Sequence, residues 1–381
     1  MIKYLFVFIL ISVTTQAQKL QVIDSEDGKP IANARIVLSE QLVYTNEDGF
    51  APVNENSKDF EISATGFKKE KFKNFSSVIK LQPIFKDIEE VKIINVDIKK
   101  IIEDLSKNYH KRYFSKPSLY NITYKTKSFN NERLYFLAIA EAKLWTKSNT
   151  YNFRDGYKKN YDEILQMQLN NIKYKKNNSK GIFSISTNEF QHASIGDYFF
   201  SFELYRLVNN MSVKNAKVLG RLLSEDDESQ LISLRVRSDS GIDISGEITY
   251  HKIDKVITQY DLSYQQENFP VEKRTNLKGE EFDYQHGNAK VFYDFYKKEG
   301  SYVLSSKKIS GAKFFISYGD KKDERSFSTE IIYNTFTKSE KKGLESKVDF
   351  SKSIWDNTPV KDDKEATILL SKEEQEFVNG I

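Results

Sequence analysis

Metal or acid–base chemistry in this chain would have to use four histidines, His110, His192, His251 and His286. None stands in His-x-His, His-x-x-Glu or His-Glu-x-x-His spacing, which places two ligands on one metal. Gly-x-Ser-x-Gly is absent, so no nucleophile elbow is present. No phosphate loop or dinucleotide fingerprint occurs, so the residues call for no cofactor. With no cysteine, thiolate metal sites and thiol nucleophiles are excluded. The 54 acidic residues offer no spacing that singles out a glycosidase pair. Glu225-Asp226-Asp227-Glu228 reads as a solvated turn, because four like charges repel when buried.

What remains is aromatic. Val291-Phe292-Tyr293-Asp294-Phe295-Tyr296 is apolar on both faces of a strand, and Tyr198, Phe199, Phe200 and Phe202 add four more rings. Phe292, Tyr293, Phe295 and Tyr296 could line a groove for a lipid, peptide or glycan. The plainer expectation is that one face is core and a helix covers the other.

These rings must be positioned by a chain of 381 residues, 39% hydrophobic, with 22 Tyr and 27 Phe, enough for real cores in two or three units. The chain opens on Met-Ile-Lys, an apolar run from Tyr4 to Val13, and Thr15-Gln16-Ala17. That is the order of an export signal, cut after Ala17 to leave Gln18. The run is about ten residues, where a spanning helix needs about 20. No later segment is long and apolar enough to span as a helix. An exported chain without cysteine has no disulfides and no acylated lipobox thiol, so stability rests on burial. The charges, 58 basic against 54 acidic, are balanced and scattered, which argues against nucleic acid as a partner.

From Lys19 onward, short alternating runs are separated by turn residues: Asp27-Gly28-Lys29-Pro30, Asn46-Glu47-Asp48-Gly49 and Thr65-Gly66-Phe67. Strands spaced in this way predict a β-sandwich. The order Asp27 to Ile31, Asn33-Ala34, Thr45 to Phe50, Phe60 to Phe67 and Ile79-Lys80-Leu81 resembles the carboxypeptidase-regulatory-like family. Similar domains extend the N-termini of TonB-dependent transporters of Bacteroidota. The resemblance covers one fifth of the chain and implies a seven-strand sandwich without peptidase activity. Ile88 to Ile93 resembles the strand that follows this domain in those transporters. The chain then departs from their pattern, so transport is not carried over. Asn46-Glu47-Asp48 supplies too few oxygens for a calcium loop and reads as a hairpin turn.

Asp97 is an N-cap for an amphipathic helix over 98–113, with Ile98, Ile101, Ile102, Leu105 and Tyr109 on one face. Leu119–Phe129 and Leu134–Thr146 read as a hairpin. Tyr161, Ile164, Leu165, Gln168, Leu169 and Ile172 have helical spacing, and Tyr198 to Val208 forms another short helix. Strands are expected at Leu231–Val236, Ile242–Lys252, Val256–Tyr264, Ala289–Lys297, Tyr302–Lys308, Ala312–Tyr318 and Ser326–Thr337. Short links between them mean an antiparallel meander. Gly246 to Ile257 is weakly similar to strands of periplasmic lipoprotein-carrier half-barrels. Phe350–Trp355, Asp356–Pro359 and Leu369–Phe377 resemble the tail of Bacteroidota proteins with the same first domain. Lysine pairs such as Lys297-Lys298 and Lys307-Lys308 argue against an outer-membrane barrel.

The expected fold is mainly β, a sandwich at 18–93 after a signal at 1–17. An α+β segment at 97–215 packs with a meander of half-barrel type at 216–350, and a tail covers 351–381. The expected function is a non-catalytic binding or interaction protein of the periplasm or outer-membrane periphery, with the sandwich as docking or spacer module. Its partner would be an envelope protein or a hydrophobic or glycan ligand. The alternatives are a carrier of a hydrophobic ligand and an unrecognised hydrolase.

Overall fold

The computed structural model describes residues 19–39, 41–84, 94–186, 195–239, 241–340, 343–351, 353–356, 361–362 and 369–380. The cleavage site at Ala17 and Gln18, the Ile88–Ile93 strand, His192 and the Asn357–Pro359 stretch lie outside the described residues.

Seven strands form the first unit: β1 (Lys19–Asp24), β2 (Arg35–Val37), β3 (Leu42–Tyr44), β4 (Phe50–Pro52), β5 (Lys58–Ser63), β6 (Glu70–Asn74) and β7 (Val78–Leu81). They make two sheets, β4-β1-β7 and β3-β2-β5-β6. Period-two alternation turns Leu20, Val22, Ile36, Phe60, Ile62, Ile79 and Leu81 into a separate buried core. The 46–49 turn is closed by Asn46 Oδ1, which accepts from Asp48 N at 3.0 Å and Phe50 N at 2.9 Å. Gly49 is required there: its φ is +76°, and a Cβ would lie 2.7 Å from Val22 O.

The rest of the chain runs β8 (Ile94–Asn95), α1 (Ile98–Arg112), β9 (Ser118–Asn130), β10 (Arg133–Thr146), α2 (Phe153–Tyr157), β11 (Leu165–Asn177), α3 (Phe200–Met211) and β12 (Lys217–Glu225). It continues through β13 (Ser229–Arg237), β14 (Asp243–His251), β15 (Val256–Gln265), β16 (Glu272–Thr275), β17 (Glu281–Gln285), β18 (Asn288–Lys298), β19 (Ser301–Tyr318), β20 (Lys321–Lys338), β21 (Lys361–Asp362) and α4 (Lys372–Asn379). The strands build one sheet in the order β21-β11-β10-β9-β20-β19-β18-β15-β14-β13-β12-β8, with the β16–β17 hairpin paired to β19. β8 and β21 end opposite edges, so the sheet is open and not a barrel. Strands from 118–177 and from 217–338 therefore share one sheet and one core.

Helices α1 and α3 lie on the inner face. Asp97 accepts from Lys100 N at 3.1 Å and caps α1, which buries Ile98, Ile102, Leu105 and Tyr109. Phe200 of α3 packs on Tyr260, Tyr293 and Phe295 with ring centroids 4.9–5.3 Å apart. The tail is not an appendage: Phe350, Ile354 and Trp355 join this core.

Two sequence expectations are corrected. The helix over 161–172 is a single 3₁₀ turn, Tyr161–Glu163, followed by strand β11. Leu165-Gln166-Met167-Gln168-Leu169 also alternates with period two, and the β10 edge supplies the ladder. Two register shifts in that pairing rotate the apolar set, which is why it mimics a helical stripe. Tyr302–Lys308 and Ala312–Tyr318 are one 18-residue strand, β19, shifted in register after Gly311. A Cβ at Gly311 would meet the Phe327 and Phe314 rings at 2.4 and 2.5 Å.

Candidate functional site

The two units meet on the outer face of the sheet. Pairing sets Asp261 of β15 opposite Phe292 of β18, Phe292 opposite Lys308 of β19, Lys308 opposite Glu330 of β20, and Glu330 opposite Lys125 of β9. This is one transverse row on five strands, about 19 Å long at the usual strand spacing. The sandwich roofs most of it with Asp24, Asp27, Lys29, Asn33, Thr65 and Phe67. Between roof and row lies a cleft of about 510 Å³, the size of a small-ligand site.

The seam beside the cleft is locked by buried charge. Arg35 donates to both Asp294 oxygens at 3.0 Å and to Phe295 O at 2.7 Å, and Tyr44 donates to Asp294 Oδ2 at 2.7 Å. Burial opposes the Arg35 charge most strongly, but Asp294, Tyr44 and Glu61 together outweigh it and hold the guanidinium above its ordinary value. Burial and the Asp294 carboxylate both push the Tyr44 phenol well up, so it stays a donor.

Within the cleft, charges are interleaved. Lys29 pairs with Asp27 at 2.6 Å and Lys290 with Asp261 at 3.0 Å. The Lys29 hydrogen bond lowers the Asp27 pKa. The Phe67 and Phe292 rings lie among these pairs. Such a lining offers donors, acceptors and apolar ring surface, with no single sign of charge to favour an ion.

Of the four aromatic residues singled out from sequence, only Phe292 lines this cleft. Tyr293 and Phe295 point the other way and are fully buried under α3. Tyr296 is half-buried, beyond a register shift between Asp294 and Phe295. The four do not line one groove. The outer face is covered at Asp294 by the sandwich, not by a helix.

The three described histidines do not converge. His110 is exposed on α1, His251 ends β14 beside Asp254 and Glu228, and His286 bonds Glu272 at 2.8 Å. Among the described residues no three His, Asp or Glu side chains stand together as a metal site. Glu225–Glu228 is the exposed turn between β12 and β13, where Asp226 accepts from the Glu228 and Ser229 amides.

A second ionic group lies beneath α3. Glu203 is wholly buried and accepts from Tyr260 at 2.7 Å, from Tyr264, and from Arg206 Nε at 3.1 Å. Arg206 also donates to Asp197 at 3.0 Å. Burial opposes the Arg206 charge, while Glu203 and Asp197 raise its pKa. Lys307, nearly inaccessible on β19, faces the Tyr198 ring at 4.8 Å, and burial pulls its pKa down to about 8. Sequence reading passed over this group. Its signal is Glu203 and Arg206, charges at i, i+3 within an apolar helix.

No family model matches the chain, and no curated protein matches it. Among solved structures, the crystal structure of a LolA-superfamily protein from Nitrosomonas europaea aligns over 62% of this chain and 93% of that one, at 9% identity. Its TM-score is 0.18, a superposition too loose to carry fold or function to this chain.

Proposed function

We propose that this chain is a non-catalytic binding protein of the cell envelope, whose sandwich of carboxypeptidase-regulatory-like type forms the roof of the ligand site. The observation that carries this reading is the roofed row Asp261–Phe292–Lys308–Glu330. Ring surface flanked by both signs of charge suits a polar chain, a peptide or a glycan, whose groups both donate and accept. Paired charges such as Asp27–Lys29 and Asp261–Lys290 quench one another, which suits binding better than proton transfer. The expected export signal at 1–17 favours that compartment. A carrier of a hydrophobic ligand would need an open apolar groove beside Phe292–Tyr296, and Tyr293 and Phe295 are instead packed under α3.

The test is titration calorimetry of the full chain with envelope glycan and peptide fractions. Wild type is expected to saturate, and Phe292→Ala with Lys308→Glu to weaken binding at least about tenfold, or about 1.4 kcal/mol, with an unchanged melting temperature. Binding indifferent to both substitutions overturns the site. Turnover of peptide, ester or glycoside substrates at enzyme-like rates overturns the non-catalytic reading.

A further inference from the structure

The eight-residue helix α4 carries a complete capping box. Glu374 N donates to Ser371 Oγ at 3.4 Å, and Ser371 N donates to Glu374 Oε2 at 3.0 Å. Glu374 is wholly buried, and its carboxylate meets Lys125 and, at 3.4 Å, Lys127. Lys127 also pairs with Glu47 of the sandwich at 2.7 Å. The 46–49 turn reaches the same helix: Asp48 Oδ2 accepts from Lys372 N at 2.8 Å, and Asn46 Nδ2 donates to Leu370 O at 3.3 Å. At the far end Lys176 donates to Phe377 O at 2.6 Å and to Val378 O at 3.2 Å. The helix therefore touches the sandwich turn, β9 and β11 at once.

Its seat is mostly ionic, with a small apolar part where the helix packs on β10, whose Leu137 and Ile139 lie opposite Lys127 and Lys125, and where Phe377 and Val378 are half-buried. Among the described residues, no side chain of 369–380 belongs to an apolar core. A helix this short does not persist alone in water, so it exists only while these tertiary contacts, chiefly ionic, hold it. Lys125, the partner of Glu374, is the next residue of the transverse row after Glu330, the last of the row that lines the cleft. The helix stands one strand beyond the cleft lining.

We propose that α4 is a releasable clasp that closes the Lys125 end of the cleft and pins the 46–49 turn of the sandwich to the sheet. Released, it lengthens the cleft and frees Lys125 and Lys127 for an acidic group of the bound chain to take the place of Glu374. This access role rests on the cleft being the binding site; the clasp itself does not.

Hydrogen exchange on the full chain tests the clasp. In wild type, the amides of 372–380 are expected to exchange at least about tenfold faster than those of β9 and β20, because they open locally while the cores stay folded. Glu374→Gln keeps the shape and removes the charge. It is expected to speed exchange in 372–380 and at Asp48, Gly49 and Phe50 by a further tenfold or so, with the β9 and β20 amides unchanged. Asp48→Ala, which cuts the sandwich contact from the other side, is expected to do the same in 372–380. Wild-type protection of 372–380 equal to that of β9, or no response to either substitution, overturns the clasp. For access, the probe is an acidic peptide with its neutral amidated counterpart. Glu374→Gln is expected to tighten the acidic peptide alone, at least about threefold, and equal affinity in both proteins overturns this role. Faster exchange without any cleft binding would sink the cleft reading and leave the clasp standing.

Discussion

Asp294→Ala is expected to destabilise the protein by about 3–5 kcal/mol, the cost of stripping one partner from a buried ion pair. Among the described residues Asp294 is the sole carboxylate bonded to Arg35, whose side chain is only 12% exposed, and it also takes the Tyr44 hydroxyl. With Asp294 gone, the guanidinium keeps only the Phe295 carbonyl and has no carboxylate to balance its charge, and the Tyr44 phenol loses its carboxylate acceptor. The sandwich and the sheet have separate cores, so the loss falls on their coupling. Calorimetry should resolve a first, lower transition belonging to the sandwich, where wild type melts as a coupled unit. Replacing the whole group, Asp294→Leu with Arg35→Met and Tyr44→Phe, is expected to recover most of the loss, because the desolvated charges disappear together. The Arg35 Nε proton, which has no acceptor among the described residues, disappears with them. A cost below about 1 kcal/mol for Asp294→Ala would mean the seam is held by other contacts.

The β architecture was legible because alternation is a local property. Leu20–Val22, Phe60–Ile62 and Ile79–Leu81 declare their buried faces within three residues, and Asp48-Gly49 declares its turn. The helix at α1 was legible for the same reason, with a cap and four apolar positions one turn apart. Residues 161–172 were not, because a strand with two register shifts shares its apolar spacing with a helix, and only the β10 edge decides between them. The candidate cleft was hidden for a deeper reason. Lys125, Asp261, Phe292, Lys308 and Glu330 become neighbours through register alone, and the pairing of β9 with β20 joins segments about two hundred residues apart. Lys307-Lys308 shows the limit within one dipeptide. Both lysines read as polar interruptions of a strand, yet Lys308 faces the cleft and Lys307 the core. The α4 seat had a visible sign in Ser371-Lys372-Glu373-Glu374, which has capping-box spacing. Nothing local says that Glu374 also reaches Lys125.

Lys307→Met is expected to stabilise the protein at pH 7 by on the order of 1–3 kcal/mol, since it removes a desolvated ammonium and leaves a flexible apolar chain against the Tyr198 ring. Burial lowers the Lys307 pKa from 10.5 to about 8, while Asp197 and Glu203 raise it and Arg206 lowers it. Below pH 8 both folded and unfolded chains hold the proton, and the folded state bears the full net penalty, on the order of 3 kcal/mol with the attraction to Asp197 and Glu203 already included. Between pH 8 and 10.5 the folded chain releases the proton while the unfolded chain keeps it, so wild-type stability rises with pH. The buried phenols of Tyr260, Tyr264 and Tyr293 act in the opposite sense above their ordinary value near 10, so the clean window is pH 8 to about 9.5. Urea melts across that window should show the wild type gaining stability and the Met variant flat, the two curves converging upward. Wild-type stability that falls from pH 8 to 9.5, or a Met variant less stable at pH 7, would show that Lys307 is held by attraction to Asp197 and Glu203 rather than strained by burial.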